Sequence, residues 1–184
     1  MKLLPLASGL VLGLAAVASA QAAKWTTDSA MSSVGFVAEQ QGSRFNGRFQ
    51  TFTAMIDFSP SDPDSGKIVG TVQTDSVNTR DHDRDASLTD RDWFDSANYP
   101  EARFESDSIT KLDDGSFEAN GNLTLKGTTK PIRLKFTFDE SGGAAKFDGT
   151  MMIDRFNFNV GEGWNDTSWV GQNVEVQVKL TLTK

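Results

Sequence analysis

The sequence predicts an all-β domain of about eight antiparallel strands, with a short helix or crossing segment set among them. Three observations carry that prediction. Period-2 alternation of apolar and polar residues dominates the chain from Val34 onward. Polar turns rich in Gly, Asp and Ser separate the alternating runs. One block alone, Asp75–Pro100, breaks the pattern with crowded Asp and Arg and an aromatic pair, Trp93-Phe94.

The elements follow in chain order. Val34–Glu39 is the first strand, and Gln41-Gly42-Ser43 turns it into the second. Phe52, Ala54, Ile56 and Phe58 share a face in the next run, before the polar loop Ser59–Gly66. Ile68–Asp75 is a further strand. Within Asp83–Phe94, Leu88 and Trp93 or Phe94 stand at helical spacing and Asp90 is placed to cap a turn. Ala102–Ile109 resumes the strand pattern, and Asp113-Asp114-Gly115 is a hairpin turn. Leu123 and Leu125 precede a hinge at Lys126-Gly127, and Ile132, Leu134, Phe136 and Phe138 follow it. Beyond the Glu140–Gly143 turn, Phe147, Met151 and Ile153 share a face with Gly149. The last strand is the cleanest: Val174, Val176, Val178, Leu180 and Leu182 oppose Glu175, Gln177, Lys179, Thr181 and Thr183.

Strands with one apolar face must bury those faces together, as a sandwich or as a barrel that removes its own edges. Ala54, Gly70 and Gly149 are small residues at apolar-face positions. They either leave room inside or relieve crowding between larger neighbours.

Residues 1–22 have the form of an export signal: Lys2, then an uncharged apolar run, then small residues allowing cleavage after Ala20 or Ala22. The domain then spans residues 23–184. The net charge of −7 becomes −8 without Lys2. That sign disfavours nucleic acid and anionic lipid headgroups as partners, and suits a soluble protein with a small or apolar ligand. The chain has no cysteine, which excludes disulfides, thiol chemistry and Cys-ligated metals. His82 is the only histidine, so Asp81-His82-Asp83 reads as a solvated acidic loop, and no metal or catalytic residue is assigned. No Gly-x-Ser-x-Gly elbow presents a nucleophile to it.

Several motifs occur together. Ser76-Val77-Asn78-Thr79 is followed by Arg84-Asp85, Leu88, Phe94 and Tyr99-Pro100, and then by Phe104 with Ser106. Gly121-Asn122-Leu123-Thr124-Leu125-Lys126-Gly127-Thr128-Thr129-Lys130-Pro131 forms a hairpin motif. Asp28, Ser32–Phe36, Gly47, Phe49 and Phe52 stand upstream. In this combination the mature chain resembles the YceI-like family along essentially its whole length. The departure is Met31, where the family usually carries His. The resemblance implies a lipocalin-like barrel with a long apolar tunnel, holding a polyisoprenoid chain, an isoprenoid quinone or another long amphiphile.

A tunnel of that kind needs an apolar bore, a closed end and a mouth that accepts a polar head. The candidate bore residues of the early strands are Phe36, Phe45, Phe49, Phe52, Ile56 and Val72. Those of the later strands are Phe104, Leu123, Leu125, Leu134, Phe136, Met151 and Ile153. Arg84 is expected to pair with Asp85 and pin the crossing segment, or to face a polar head; Leu88, Trp93 and Phe94 would plug that end. Trp164 and Trp169, in an aromatic Gly-rich connection, would line the mouth or cap the core.

The expected function is binding, transport or storage of a long isoprenoid lipid in the periplasm, without catalysis and with no cofactor besides the bound lipid or quinone. Three alternatives remain. One is an interaction module partnering a membrane redox protein, and another is a barrel enzyme acting on an apolar substrate. The third is a small outer-membrane barrel with its faces inverted. The oligomeric state is open between monomer and homodimer.

Overall fold

The computed structural model describes residues 23–184; the expected signal peptide lies outside the described residues. Eleven strands join one antiparallel sheet that closes on itself. They are β1 (Lys24–Thr27), β2 (Ser33–Gln40), β3 (Ser43–Phe49), β4 (Phe52–Asp57), β5 (Lys67–Gln73) and β6 (Val77–Asn78), then β7 (Glu101–Lys111), β8 (Phe117–Leu125), β9 (Thr128–Ser141), β10 (Ala144–Asp154) and β11 (Asn173–Thr183). Among the described residues there is one α-helix, α1 (His82–Thr89), between β6 and β7.

Eleven strands make eight staves because three staves are broken. β1 and β2 both pair with β11, at opposite ends of it, so together they form one stave. The break between them is a 3-10 turn, Ser29–Met31, capped by the Asp28 carboxylate on the backbone N–H groups of Ala30 and Met31. β3 pairs with β2 and β6, while β4 pairs with β1 and β5, so β3–β4 and β5–β6 are the other two broken staves. β7 to β11 complete the ring without interruption. The result is the lipocalin-like barrel expected, with no free edge around most of its girth.

Tight turns set the registers. Gln41-Gly42 and Lys126-Gly127 each place two successive residues at positive φ, the two-residue hairpin geometry whose twist matches that of strands. Gln41 and Lys126 occupy the left-handed region without being glycine, so each hairpin carries a small built-in strain.

The helix differs from its expected bounds. It begins at His82, capped by Asp81, whose side chain accepts the Arg84 N–H at 3.0 Å. It ends at Thr89, and Asp90 is both its C-terminal cap and the start of the turn that follows, its carbonyl accepting the Trp93 N–H at 3.0 Å. The chain then folds back, with Phe94 N–H donating to the Leu88 carbonyl at 3.0 Å. This reversal turns both Leu88 and Phe94 inward, which a continuous helix to Phe94 would not do.

One half of the barrel is solid. Trp25, Phe58, Phe117, Phe136 and Phe138 fill the end bounded by the β4–β5 loop and the β7–β8 and β9–β10 hairpins. Phe58 meets Phe117 at 4.9 Å and Phe138 at 5.0 Å edge-on, and Phe136 stacks on Phe147 at 4.7 Å. Such pairs add about 0.5–1.5 kcal/mol each beyond their buried area. The Trp25 Nε1–H, buried with them, donates to the Phe58 carbonyl at 2.9 Å.

Candidate functional site

Above that plug the barrel is hollow. A shaft of about 270 Å³ runs from the plug to the opposite end, where α1, the β2–β3 turn and the 159–171 loop gather. It is therefore blind, closed below by Ile56, Ile68, Leu134, Phe147 and Leu180. Its walls are the inward faces of the staves, almost wholly apolar. Phe36, Phe49 and Ile56 contribute from β2 to β4, Val72 from β5, and Phe104, Leu123 and Leu125 from β7 and β8. Leu134, Met151 and Ile153 line the far wall, Phe45 stands near the mouth, and Leu88 and Phe94 come in from the crossing segment.

Three expected residues are elsewhere. Phe136 lies in the solid half, stacked between Phe117 and Phe147, because the β8–β9 register sets it opposite Phe117 rather than beside the void. Phe52 is half-buried against the core at the start of β4 without lining the shaft. Trp169 is 50 % exposed on the mouth loop, outside the shaft wall. Trp164, 46 % exposed, does reach the mouth and meets Trp93 at 6.1 Å.

The small residues divide. A Cβ on Gly70 would meet nothing within 4 Å, and its strand neighbour Ala54 also lines the shaft, so this pair makes room. A Cβ on Gly149 would come within 2.8 Å of Phe147 and 3.0 Å of Leu134. Gly149 therefore relieves crowding, and the space its missing side chain leaves is taken by the Phe147 ring.

Arg84 does not pair with Asp85. The Asp85 carboxylate accepts from the Thr79 backbone N–H at 2.7 Å and from the Thr79 hydroxyl at 2.6 Å, tying the helix to the end of β6. Arg84 instead approaches Asp81 at 3.5 Å and donates Nε–H to the Thr79 hydroxyl and an Nη1–H to the Gln40 side chain. The reason is helical geometry: neighbours i and i+1 point apart, while i and i+3 share a face. The guanidinium lies 4.1 Å from the centre of the Phe45 ring, at the shaft's rim.

Arg155 carries a role that the sequence pattern did not disclose. It is 2 % exposed, lines the shaft and makes no ion pair among the described residues. Its five N–H donors meet five backbone carbonyls: Gly171 on Nε, Val160 and Gly161 on Nη1, Trp164 and Val170 on Nη2. Burial lowers its pKa from the ordinary value, and the nearby Asp154 charge opposes that shift. One side chain thus gathers the loop that forms half of the mouth. The only sequence signal was an arginine at the next inward-facing position after Ile153, before a Gly-rich stretch. The valines of β11 also line the shaft; their alternation was plain, though they stood outside the candidate set.

A closed antiparallel barrel, plugged at one end and hollow at the other, is a lipocalin-like barrel. The chain belongs to the YceI-like family, whose domain matches residues 25–182. A UPF0312 protein of Vibrio parahaemolyticus is 32 % identical over 163 residues, covering 84 % of this chain and 86 % of the relative. The crystal structure of Burkholderia cenocepacia BcnA superposes with a TM-score of 0.82 at 31 % identity, covering 85 % of this chain and 99 % of that one. A polyisoprenoid binding domain from Saccharophagus degradans shares the fold with a TM-score of 0.67 at 16 % identity, over 86 % of this chain and 97 % of its own.

Proposed function

We propose that this protein is a periplasmic carrier or reservoir that sequesters the tail of a long isoprenoid lipid. The observation that carries the reading is the blind shaft: apolar from plug to mouth, narrow, and open only where polar groups are available. An isoprenoid chain is a branched hydrocarbon suited to an apolar shaft, and each buried CH₂ contributes about 0.8 kcal/mol. Ten such groups would supply about 8 kcal/mol, the free energy of micromolar binding before the costs of association. The likeness in fold to a polyisoprenoid binding domain supports the same reading. Export is inferred from the signal-like residues 1–22.

The titratable side chains that line the shaft are Arg84 and Arg155. Neither suits proton transfer near neutral pH, which favours a binding protein over an enzyme. Trp164 and Trp169, exposed beside the mouth, favour transfer at a membrane or at a membrane redox protein as the way the lipid enters and leaves.

The test is a solvent extract of protein purified from its native periplasm without detergent. Mass spectrometry is expected to find a prenyl lipid in near-stoichiometric amount. A clean extract, together with failure of added prenyl lipid to bind, would remove the proposal.

A further inference from the structure

We infer that the mouth selects isoprenoid lipids with neutral heads and rejects those with anionic heads, phosphate or carboxylate. This inference rests on the prenyl-carrier reading and sharpens its ligand class.

An anionic head drawn to the rim of an apolar shaft loses water and needs a cation or a set of free N–H donors in return. Most of the groups at this rim that ordinarily supply one are already engaged. The N-terminus of α1 is capped by its own carboxylate, Asp81 on the Arg84 N–H. Arg155 has a backbone carbonyl for each of its N–H donors. Arg84 is turned to Thr79, Gln40 and Asp81, and its face is taken by Phe45. Lys126 donates to the carbonyls of Asp92 and Asn159. Arg44, Arg80 and Arg91 are exposed and do not line the shaft.

The charge around the rim opposes an anion as well. Residues 79–95 and 156–171, two of the segments over the mouth, carry eight carboxylates against three arginines, and Glu39 and Arg44, flanking the β2–β3 turn, cancel. Adding Arg155 and Lys126 beneath them still leaves the anions in excess. A neutral head meets none of this. The Ser87 hydroxyl already donates to the Asp83 carbonyl, and the Gln40 oxygen already accepts from Arg84. A neutral hydroxyl can still donate to the Ser87 oxygen, and a neutral carbonyl can accept from the Gln40 NH₂, both at the shaft wall and at little cost.

The experiment compares geranylgeraniol with geranylgeranyl phosphate, which share one tail, in calorimetric titrations of the protein covering residues 23–184 at neutral pH. The alcohol is expected to bind at least about tenfold more tightly at low salt, a difference near 1.4 kcal/mol. Raising the salt should narrow the gap by screening the rim. A second arm uses the paired substitution Asp83→Asn and Glu162→Gln, two exposed side chains outside the shaft. It should raise phosphate affinity severalfold while leaving that of the alcohol unchanged. Phosphate binding as tight as alcohol binding would overturn the inference and leave the carrier reading standing. Binding of neither compound would overturn both.

Discussion

Arg155 donates an Nη1–H to the carbonyl of Val160 at 2.9 Å, and its remaining N–H groups reach four more carbonyls as far along the chain as Gly171. A buried charge satisfied wholly by backbone is a hub: remove it, and five carbonyls must find water or go unpaired. Each buried group left unsatisfied costs about 1–3 kcal/mol, though a surface loop recovers part of that by opening. Arg155→Met is therefore expected to lose about 2–4 kcal/mol in urea unfolding. Amide exchange should accelerate through residues 159–171 before the rest of the barrel. Arg155→Lys, with fewer donors on a point charge, should recover only part of the loss.

Gly70 and Gly149 should respond oppositely to the same change. Gly70→Ala places a methyl group in open space and is expected to be neutral or mildly stabilising, by up to about 1 kcal/mol. Gly149→Ala drives a methyl group into Phe147 and Leu134 and should cost about 1–3 kcal/mol. Gly70→Phe would fill the shaft: the protein should still unfold cooperatively, but uptake of a fluorescent prenyl probe should be lost. Thermal melts and probe titrations on the three variants check this together.

The solid half should govern stability and the hollow half binding. Phe58, fully buried among Phe117, Phe136 and Phe138, should cost about 3–5 kcal/mol on truncation to Ala. Phe104→Ala, at the shaft wall, should weaken prenyl binding in a variant that remains folded at room temperature. Equal effects of both substitutions on both measurements would contradict the division.

Acid should loosen the β7–β8 hairpin first. The Lys135 ammonium, with the Ser116 hydroxyl and N–H, holds the Asp114 carboxyl well below its ordinary value of 3.8. Lys67 and then Arg103 lower Glu105 from 4.5. A carboxyl whose pKa is depressed by folding contributes stability above its unfolded value, and loses it as pH falls toward its folded value. Stability is thus expected to be flat near neutrality and to decline from about pH 4 downward. Asp114→Asn should make that decline shallower, as followed by circular dichroism at stepped pH. Both side chains are about half exposed to solvent, so added salt should weaken the effect.

Much of this barrel was legible in one dimension. Alternation at Val174–Leu182 and Ile132–Phe138 named the inward faces, because a strand has only two. Glycine at the hairpin tips marked the turns, since their geometry demands positive φ. Those signals depend on residues one or two apart, and they survive in any tertiary context. What they could not convey is how far into the barrel a given inward residue sits. Phe136 and Leu134 share one face of one strand, yet Phe136 closes the floor beneath the cavity that Leu134 lines. The register between staves decides that, and it is fixed by pairings across the whole ring. The same holds for charge: Arg84 adjoins Asp85 in sequence but turns to Asp81, and Arg155 finds its partners up to sixteen residues away in a folded loop. The chain by itself determined that its strands would close around an apolar interior; only tertiary packing decided which half of that interior would be filled, because aromatic rings stack where the register aligns them and leave a void where Ala54 and Gly70 stand in their place.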